Sequence, residues 1–168
     1  MIPRRIVPPV DQLVMLEDAK AHCRVDGDDS NALMQGYIDA ATAYLDGYRG
    51  VLGRCIMAQD WEIDLACAGR HRLPLPDAIS ASARDAAGDP VAVELHHDAR
   101  GSSVTIAGPA IVSFKAALPE ELLPSLRVAA LLLIGHWFEN REAVSERSMA
   151  SLPMAVDALI APIRWYAL

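Results

Sequence analysis

Lysine, aromatic residues and paired cysteines are scarce in this sequence of 168 residues. Only two lysines accompany thirteen arginines, and the formal net charge is −7. An acidic chain without a basic run is a poor candidate for binding nucleic acid, because that affinity comes from neutralising phosphates. Arginine is also the better former of bidentate, partly desolvated ion pairs. The charge pattern therefore disfavours a DNA-binding regulator and suits ion pairs between protein groups.

The cysteines are odd in number and include no C-x-x-C pair: Cys23, Cys55 and Cys67. Neither a disulfide framework nor a zinc ribbon is indicated.

The longest apolar run, VAALLLIG, is far below the roughly 20 residues that a membrane-spanning helix needs. Prolines interrupt the apolar residues at the N-terminus, so no signal-peptide core follows. We therefore expect a soluble, cytoplasmic protein that makes no membrane contact.

The hydrophobic fraction is 52% and the aromatic fraction 5%, so Ala, Leu, Val and Ile must fill most of the core. That composition favours close-packed helices over an aromatic-rich sandwich. A chain of this length fits one domain, or a domain that carries an insertion. We predict a single domain over residues 1–168 with an α+β fold, mainly an α-helical bundle of about four helices with a small antiparallel β insertion.

Helical periodicity is found at both ends of the chain, over about residues 12–50 and about residues 120–166. In the second region Gly135 costs about 1 kcal/mol of helix stability relative to Ala, so we expect another group to pack closely against it. In the first region the stripe predicted to share one helix face comprises Leu33, Tyr37, Ala41, Tyr44 and Tyr48.

Between these regions, over about residues 56–115, short alternating or β-branched segments are separated by turn residues, which predicts strands. The clearest is QDWEIDLA, in which apolar and acidic residues alternate. One face of this strand is therefore expected to be buried and the other solvated.

One group of residues could carry catalysis. His96, His97 and Asp98 could be metal ligands, or a general base with an orienting acid. Adjacent strand residues point to opposite faces, however, so the two histidines can line one site only across a bulge. The segment is simpler to interpret as a solvated strand end. A small metal-dependent or acid-base enzyme is the alternative hypothesis, but the sequence has no recognised catalytic motif, and we predict neither catalysis nor a cofactor.

The segment LLLIGHWFENREA passes from an apolar run into polar and charged residues. Trp137, Glu139 and Arg141 could belong to an active site or to the solvated end of a buried helix. We favour the helix end, where these three residues would stabilise the fold or an oligomer. Trp137 would fill a core or interface pocket, and Arg141 would satisfy helix carbonyls or an acid.

Taken in order, these segments resemble the head-tail connector (adaptor) proteins of long-tailed phages, prophages and gene transfer agents. The resemblance extends over about residues 13–166. It is carried by LEDAKAHCRVDGDDSNALMQGYIDAATAYLDGYRG, by QDWEIDL with LPLPDA, by LPEELLPSLRVAALLLIGHWFENREA and by LPMAVDALIAPIRWYAL.

The resemblance implies a structural role in the neck of a virion or phage-like particle, after synthesis in the bacterial cytoplasm. Similar proteins form a ring of about 12–13 copies beneath the portal protein, and such subunits can be monomers in isolation. The ring extends the channel through which DNA passes without specific binding, and it contacts a tail terminator or stopper protein. Candidates for portal binding are Arg164, Trp165, Tyr166 and Leu168, with packing on the subunit's own helices as the alternative.

Overall fold

A computed structural model describes residues 2–140 and 154–166. Its helices are α1 Leu16–Cys23, α2 Asn31–Leu45, α3 Leu123–Glu139 and α4 Met154–Ile160, with a 3-10 helix, Glu120–Leu122, before α3. Its strands are β1 Arg4–Val7, β2 Gln59–Leu65, β3 Gly69–Arg72, β4 Ala78–Arg84, β5 Pro90–Val91, β6 Val93–Asp98, β7 Gly101–Ile106 and β8 Ala110–Ala116. The predicted α+β class is confirmed. Strands hold nearly as many described residues as α-helices do, so the description as mainly a helical bundle is not supported.

The strands form two antiparallel sheets, a five-stranded sheet in the order β1-β2-β8-β4-β5 and a three-stranded sheet in the order β3-β7-β6. Alternate residues of β2 and β8 face the same side, and Trp61 pairs with Phe114 there. These side chains form one apolar core with Val104 of the smaller sheet. The β-rich part of the chain therefore has a core of its own, separate from the cluster that the helices share.

Helix α3 is the centre of the helical core and packs against both α2 and α4. Its buried residues include Leu126 and Ile134, while Arg127 donates a hydrogen bond to the Leu13 carbonyl at 3.1 Å. Residues Glu120–Glu139 are long and apolar enough to cross a membrane by length and composition alone. Core helices of soluble proteins share that property, and the contacts of α3 place it in a protein core.

Close packing at Gly135 is confirmed. A Cβ atom added there would lie 3.1 Å from Nε2 of His22 in α1. Such a distance is tighter than most van der Waals contacts, so the absence of a side chain lets α1 and α3 approach at this point.

The stripe predicted for α2 is wrong at its two ends, because Leu33 and Tyr48 are 41% and 37% exposed. The fully buried side of α2 instead includes Met34, Ile38 and Leu45. Both sets recur at helical spacing and differ by a rotation of about one residue, or 100°. Tyrosine also has an apolar ring and a polar tip, which suits the edge of a core as well as its centre.

The expectation of a solvated acidic face on β2 is wrong at Glu62, which is 6% exposed. Arg4 from β1 and Arg84 from β4 reach its carboxylate at 2.6 Å and 2.5 Å, and the Ser113 hydroxyl donates to it at 3.2 Å. The arginine side chains cover the acid from both sides, which its alternation with apolar residues does not reveal. These three donors lower the pKa of Glu62, with the Arg4 hydrogen bond the largest cause.

Candidate docking surface at the C-terminal segment

The chain after α4 lies against the loop that follows α2. The backbone N–H of Trp165 donates to the Leu52 carbonyl at 2.7 Å, and Nη1 of Arg54 donates to the Ile163 carbonyl at 3.1 Å. Ile163 is buried and Trp165 half-buried. Hydrogen bonds and apolar burial therefore both attach the C-terminal segment to its own subunit.

Two glycines make room for Trp165. A Cβ atom on Gly53, whose φ is +63°, would lie 2.7 Å from the Trp165 carbonyl oxygen. One on Gly101, whose φ is +89°, would lie 3.1 Å from Cζ2 of the indole and 3.0 Å from Cβ of Pro76. Both positions combine a left-handed backbone with a close approach, which suits glycine alone. The indole thus lies between the helical part of the subunit and the turn from β6 to β7.

An ion pair beside Trp165 joins the loop after α2 to the residue that precedes β4. Nε and Nη2 of Arg54 donate to the two carboxylate oxygens of Asp77 at 2.7 Å and 2.6 Å. The two side chains are only 15% and 17% exposed. A bidentate, charge-assisted pair in this setting restricts both side chains strongly. No local spacing relates these two positions, which are 23 residues apart, so the sequence pattern does not predict their pairing.

An open cavity of about 490 Å³ lies beside the indole, lined by Arg72, Leu73, Ala99, Arg100, Arg164, Trp165 and Tyr166. Its lining combines apolar side chains with three arginines. Arg164 donates to Asp157 at 3.2 Å and to the Tyr166 hydroxyl at 3.3 Å, yet Tyr166 is 67% exposed. An exposed aromatic ring next to cationic groups is typical of a protein-binding surface.

The single negative charge of Asp98 is shared by more than one arginine. Arg72 donates to both of its oxygens at 2.8 Å and 3.0 Å, and Arg70 donates to one at 3.2 Å. The Arg72 hydrogen bonds, followed by the Arg100 backbone N–H, lower the pKa of Asp98 to about 2. One carboxylate shared by two arginines leaves a net positive charge at this edge of an acidic protein.

The low pKa of Asp98 can be tested by following its carboxyl carbon in an NMR titration. We expect a midpoint near pH 2, and Arg72→Gln should move it towards the ordinary value of about 3.9. Because the folded-state pKa lies below the unfolded one, the contribution of this group to stability is present above about pH 4 and is lost as the pH falls towards 2. Asp28, whose partners are Asn31 and Lys20, is the control that should not move. An Asp98 midpoint near 4 in the unchanged protein would contradict the assigned ion pair.

The candidate catalytic residues do not converge. His96 Nε2 lies 2.9 Å from the Thr105 hydroxyl and His97 Nδ1 lies 3.1 Å from the Ser102 hydroxyl, so each histidine is bonded to a neutral group of β7. Asp98 is engaged by arginines rather than by either ring. Within residues 2–140 and 154–166, no group of three or more His, Cys, Asp or Glu side chains is placed to hold a metal ion.

The residues at the end of α3 lie apart from the C-terminal surface. Trp137 is half-buried and packs against the helical core. Glu139, the last residue of α3, is exposed and lines a separate cavity of about 530 Å³ with Cys23 and Phe138. The Asn140 side chain donates to a carbonyl of the last turn at 2.8 Å. Two of the predicted site residues, Arg141 and Leu168, lie outside the described residues.

Residues 14–74 match the model of the Phage gp6-like head-tail connector protein family. The resemblance to head-tail connectors is confirmed over this segment. It includes α1, α2, β2 and β3. This connector segment also supplies Leu52, Gly53 and Arg54, the residues that receive the C-terminal chain.

Two solved structures share the fold over the full length of the chain. One is from the neck of an empty gene transfer agent particle, computed with C6 symmetry, with a TM-score of 0.75, 18% identity, and coverage of 100% of this chain and 97% of that one. The other is from the virion of a native gene transfer agent particle, with a TM-score of 0.70, 20% identity, and coverage of 100% and 97%. No curated protein sequence matches the chain. The fold found in these particles thus includes the β-rich insertion and the C-terminal segment as well as the connector segment.

Proposed function

We propose that this protein is a structural head-tail connector subunit. It forms a homo-oligomeric ring beneath a portal protein, extends the DNA channel and links the capsid to the tail in the neck of a phage-like particle. The observation that carries the proposal is the connector-family match over residues 14–74, supported by the full-length fold shared with gene transfer agent particles. The role requires assembly and no catalysis.

The ring is proposed to contain about 12–13 copies, closed by repeated head-to-tail contacts between neighbours. Its further partner is a tail terminator or stopper protein. The formal net charge of −7 suits a subunit that surrounds DNA without gripping it, because like charge repels the phosphate backbone and allows it to slide.

For portal docking, we propose the exposed part of the C-terminal surface. Tyr166 is exposed beside the cavity. Arg164, whose side chain is 22% exposed, lines the same cavity, and Leu168 is a further candidate. Trp165 has a different role in this proposal. Its contacts with Leu52 and Gly101 hold the segment in place, so that the residues around it are presented to the portal.

Replacing Tyr166 should weaken portal binding without changing the stability of the subunit. Tyr166→Ala is expected to weaken binding to a purified portal ring by about tenfold or more, since exposed aromatic anchors carry much of an interface's binding energy. The melting temperature should stay unchanged. Binding is measured by biolayer interferometry with immobilised portal, and assembled rings are counted by native mass spectrometry and negative-stain microscopy.

Tyr48→Ala is the matched control, because Tyr48 is an exposed tyrosine of the loop after α2. It should bind the portal like the unchanged protein. Unaltered binding by both Tyr166→Ala and a deletion of residues 166–168 would place the anchor elsewhere. Failure of the unchanged protein to bind any cognate portal, or to appear in particle necks, would overturn the connector proposal itself.

A further inference from the structure

The N-terminal arm, residues 2–12, exposes several apolar side chains. Their exposed fractions range from 42% to 90%, in Ile2, Ile6, Val7 and Val10. Such a concentration in one short segment is typical of a surface that another chain covers. The arm contains β1, an edge strand of the five-stranded sheet.

The inner side of the arm meets a specific set of acceptors on the subunit body. Arg4 bonds to Glu62 at 2.6 Å, while Arg5 lies 3.4 Å from the Gln59 side-chain oxygen and 3.8 Å from Asp46. Glu62, Gln59 and the Asp46 side chain are all less than 10% exposed. The body therefore carries a slot of buried polar groups beside β2. The two arginines of this chain's own N-terminal arm match the acceptors in that slot.

An empty slot would be unfavourable. Burial already raises the pKa of Asp46, and Arg5 is among the groups that oppose this rise. Without the arm, Glu62 would keep Arg84 and Ser113, but β2 would present an unpaired edge. A filled slot is thus strongly preferred. Copies of one chain are identical, so an arm from a neighbour fills the slot with the same contacts.

The link between arm and body favours exchange. Pro8 and Pro9 have no N–H groups to donate and hold the chain extended. Residues 10–12 are exposed, and burial resumes only at Leu13. Five extended residues, 8–12, span about 17 Å. The arm can therefore be carried away from the body without disturbing a single core contact of the helices.

We propose that in the assembled ring each copy places its N-terminal arm on the next, so that β1 of one copy pairs with β2 of its neighbour. The existence of the ring rests on the proposed connector function. Exchange retains every contact that β1 makes in the single subunit. It also moves the linker between two copies, where Val10 is covered instead of exposed. Repeated in one direction around the ring, this contact closes without leaving an unpaired arm.

The test uses two variants in a Cys67→Ser background, which removes the exposed native thiol. Arg4→Cys is made in one chain and Glu62→Cys in the other, since these side chains touch across β1 and β2. The two proteins are mixed, assembled on portal rings and treated with a short bismaleimide. Exchange predicts cross-linked dimers in the mixed rings and none in rings of either variant alone. A chain that carries both cysteines should give a ladder of multimers.

Intact rings in which the double-cysteine chain cross-links only within itself would overturn the exchange while leaving the connector function standing. Absence of rings from the unchanged protein on its portal would count against both. A second readout avoids the engineered cysteines. Val10→Asp should leave the melting temperature of the monomer unchanged and reduce ring formation by about tenfold or more, whereas Val10→Ile should assemble normally. Normal assembly of Val10→Asp would contradict a covered linker.

Discussion

Trp165→Ala is expected to lower the free energy of unfolding by about 2–3 kcal/mol. Removing a fully buried tryptophan costs about 3–5 kcal/mol. Because this indole is only half-buried, the expected loss lies below that range. The substitution leaves a gap beside Gly101, where an added Cβ atom would lie 3.1 Å from Cζ2 of the indole. The backbone hydrogen bond from residue 165 to Leu52 can persist, which limits the loss.

Urea unfolding followed by circular dichroism measures this effect. The matched control is Tyr166→Ala, a neighbouring aromatic residue that is 67% exposed and should change stability by less than about 0.5 kcal/mol. Comparing the two variants separates packing on the subunit from docking to the portal, two roles that the sequence alone left open for these aromatic residues. If Trp165→Ala were as stable as the unchanged protein, the indole would be free for the portal and the assignment of a holding role would be wrong.

The strands were predictable where apolar and polar residues alternate strongly. Strand β2 has that pattern and lies where the sequence predicts it. Strand β4 was missed because AISASAR alternates small residues that differ little in hydrophobicity. Strand β1 was missed because RRIV is flanked by prolines and exposed on every residue. Its position depends on ion pairs with Glu62 and Asp46, and periodicity does not encode such long-range contacts.

The candidate surface was predictable in one respect only. Large apolar groups at a chain end point to a docking role, which singles out Trp165 and Tyr166. Trp165 packs on its own subunit because Gly53 and Gly101, about 110 and 60 residues earlier in the sequence, leave space for it. Tyr166 has no such contact with these glycines and remains exposed. A glycine in the sequence predicts a local turn, but it does not predict which distant side chain will pack against it.

The Arg54–Asp77 pair is expected to carry a large coupling energy. Removing one partner of a buried ion pair costs about 3–5 kcal/mol. Because these side chains are 15% and 17% exposed, we expect about 2–3 kcal/mol for Arg54→Ala or Asp77→Ala. A double-mutant cycle isolates the pair from the separate hydrogen bond between Arg54 and the Ile163 carbonyl, since that bond is lost on both sides of the cycle.

The Arg72–Asp98 pair provides the matched control because it has the same bidentate geometry but is 39% and 38% exposed. Solvent screening should hold its coupling energy well below that of the Arg54–Asp77 pair. Both cycles are measured by urea unfolding at neutral pH. A larger coupling at Arg72–Asp98 than at Arg54–Asp77 would mean that burial does not decide the strength of these pairs.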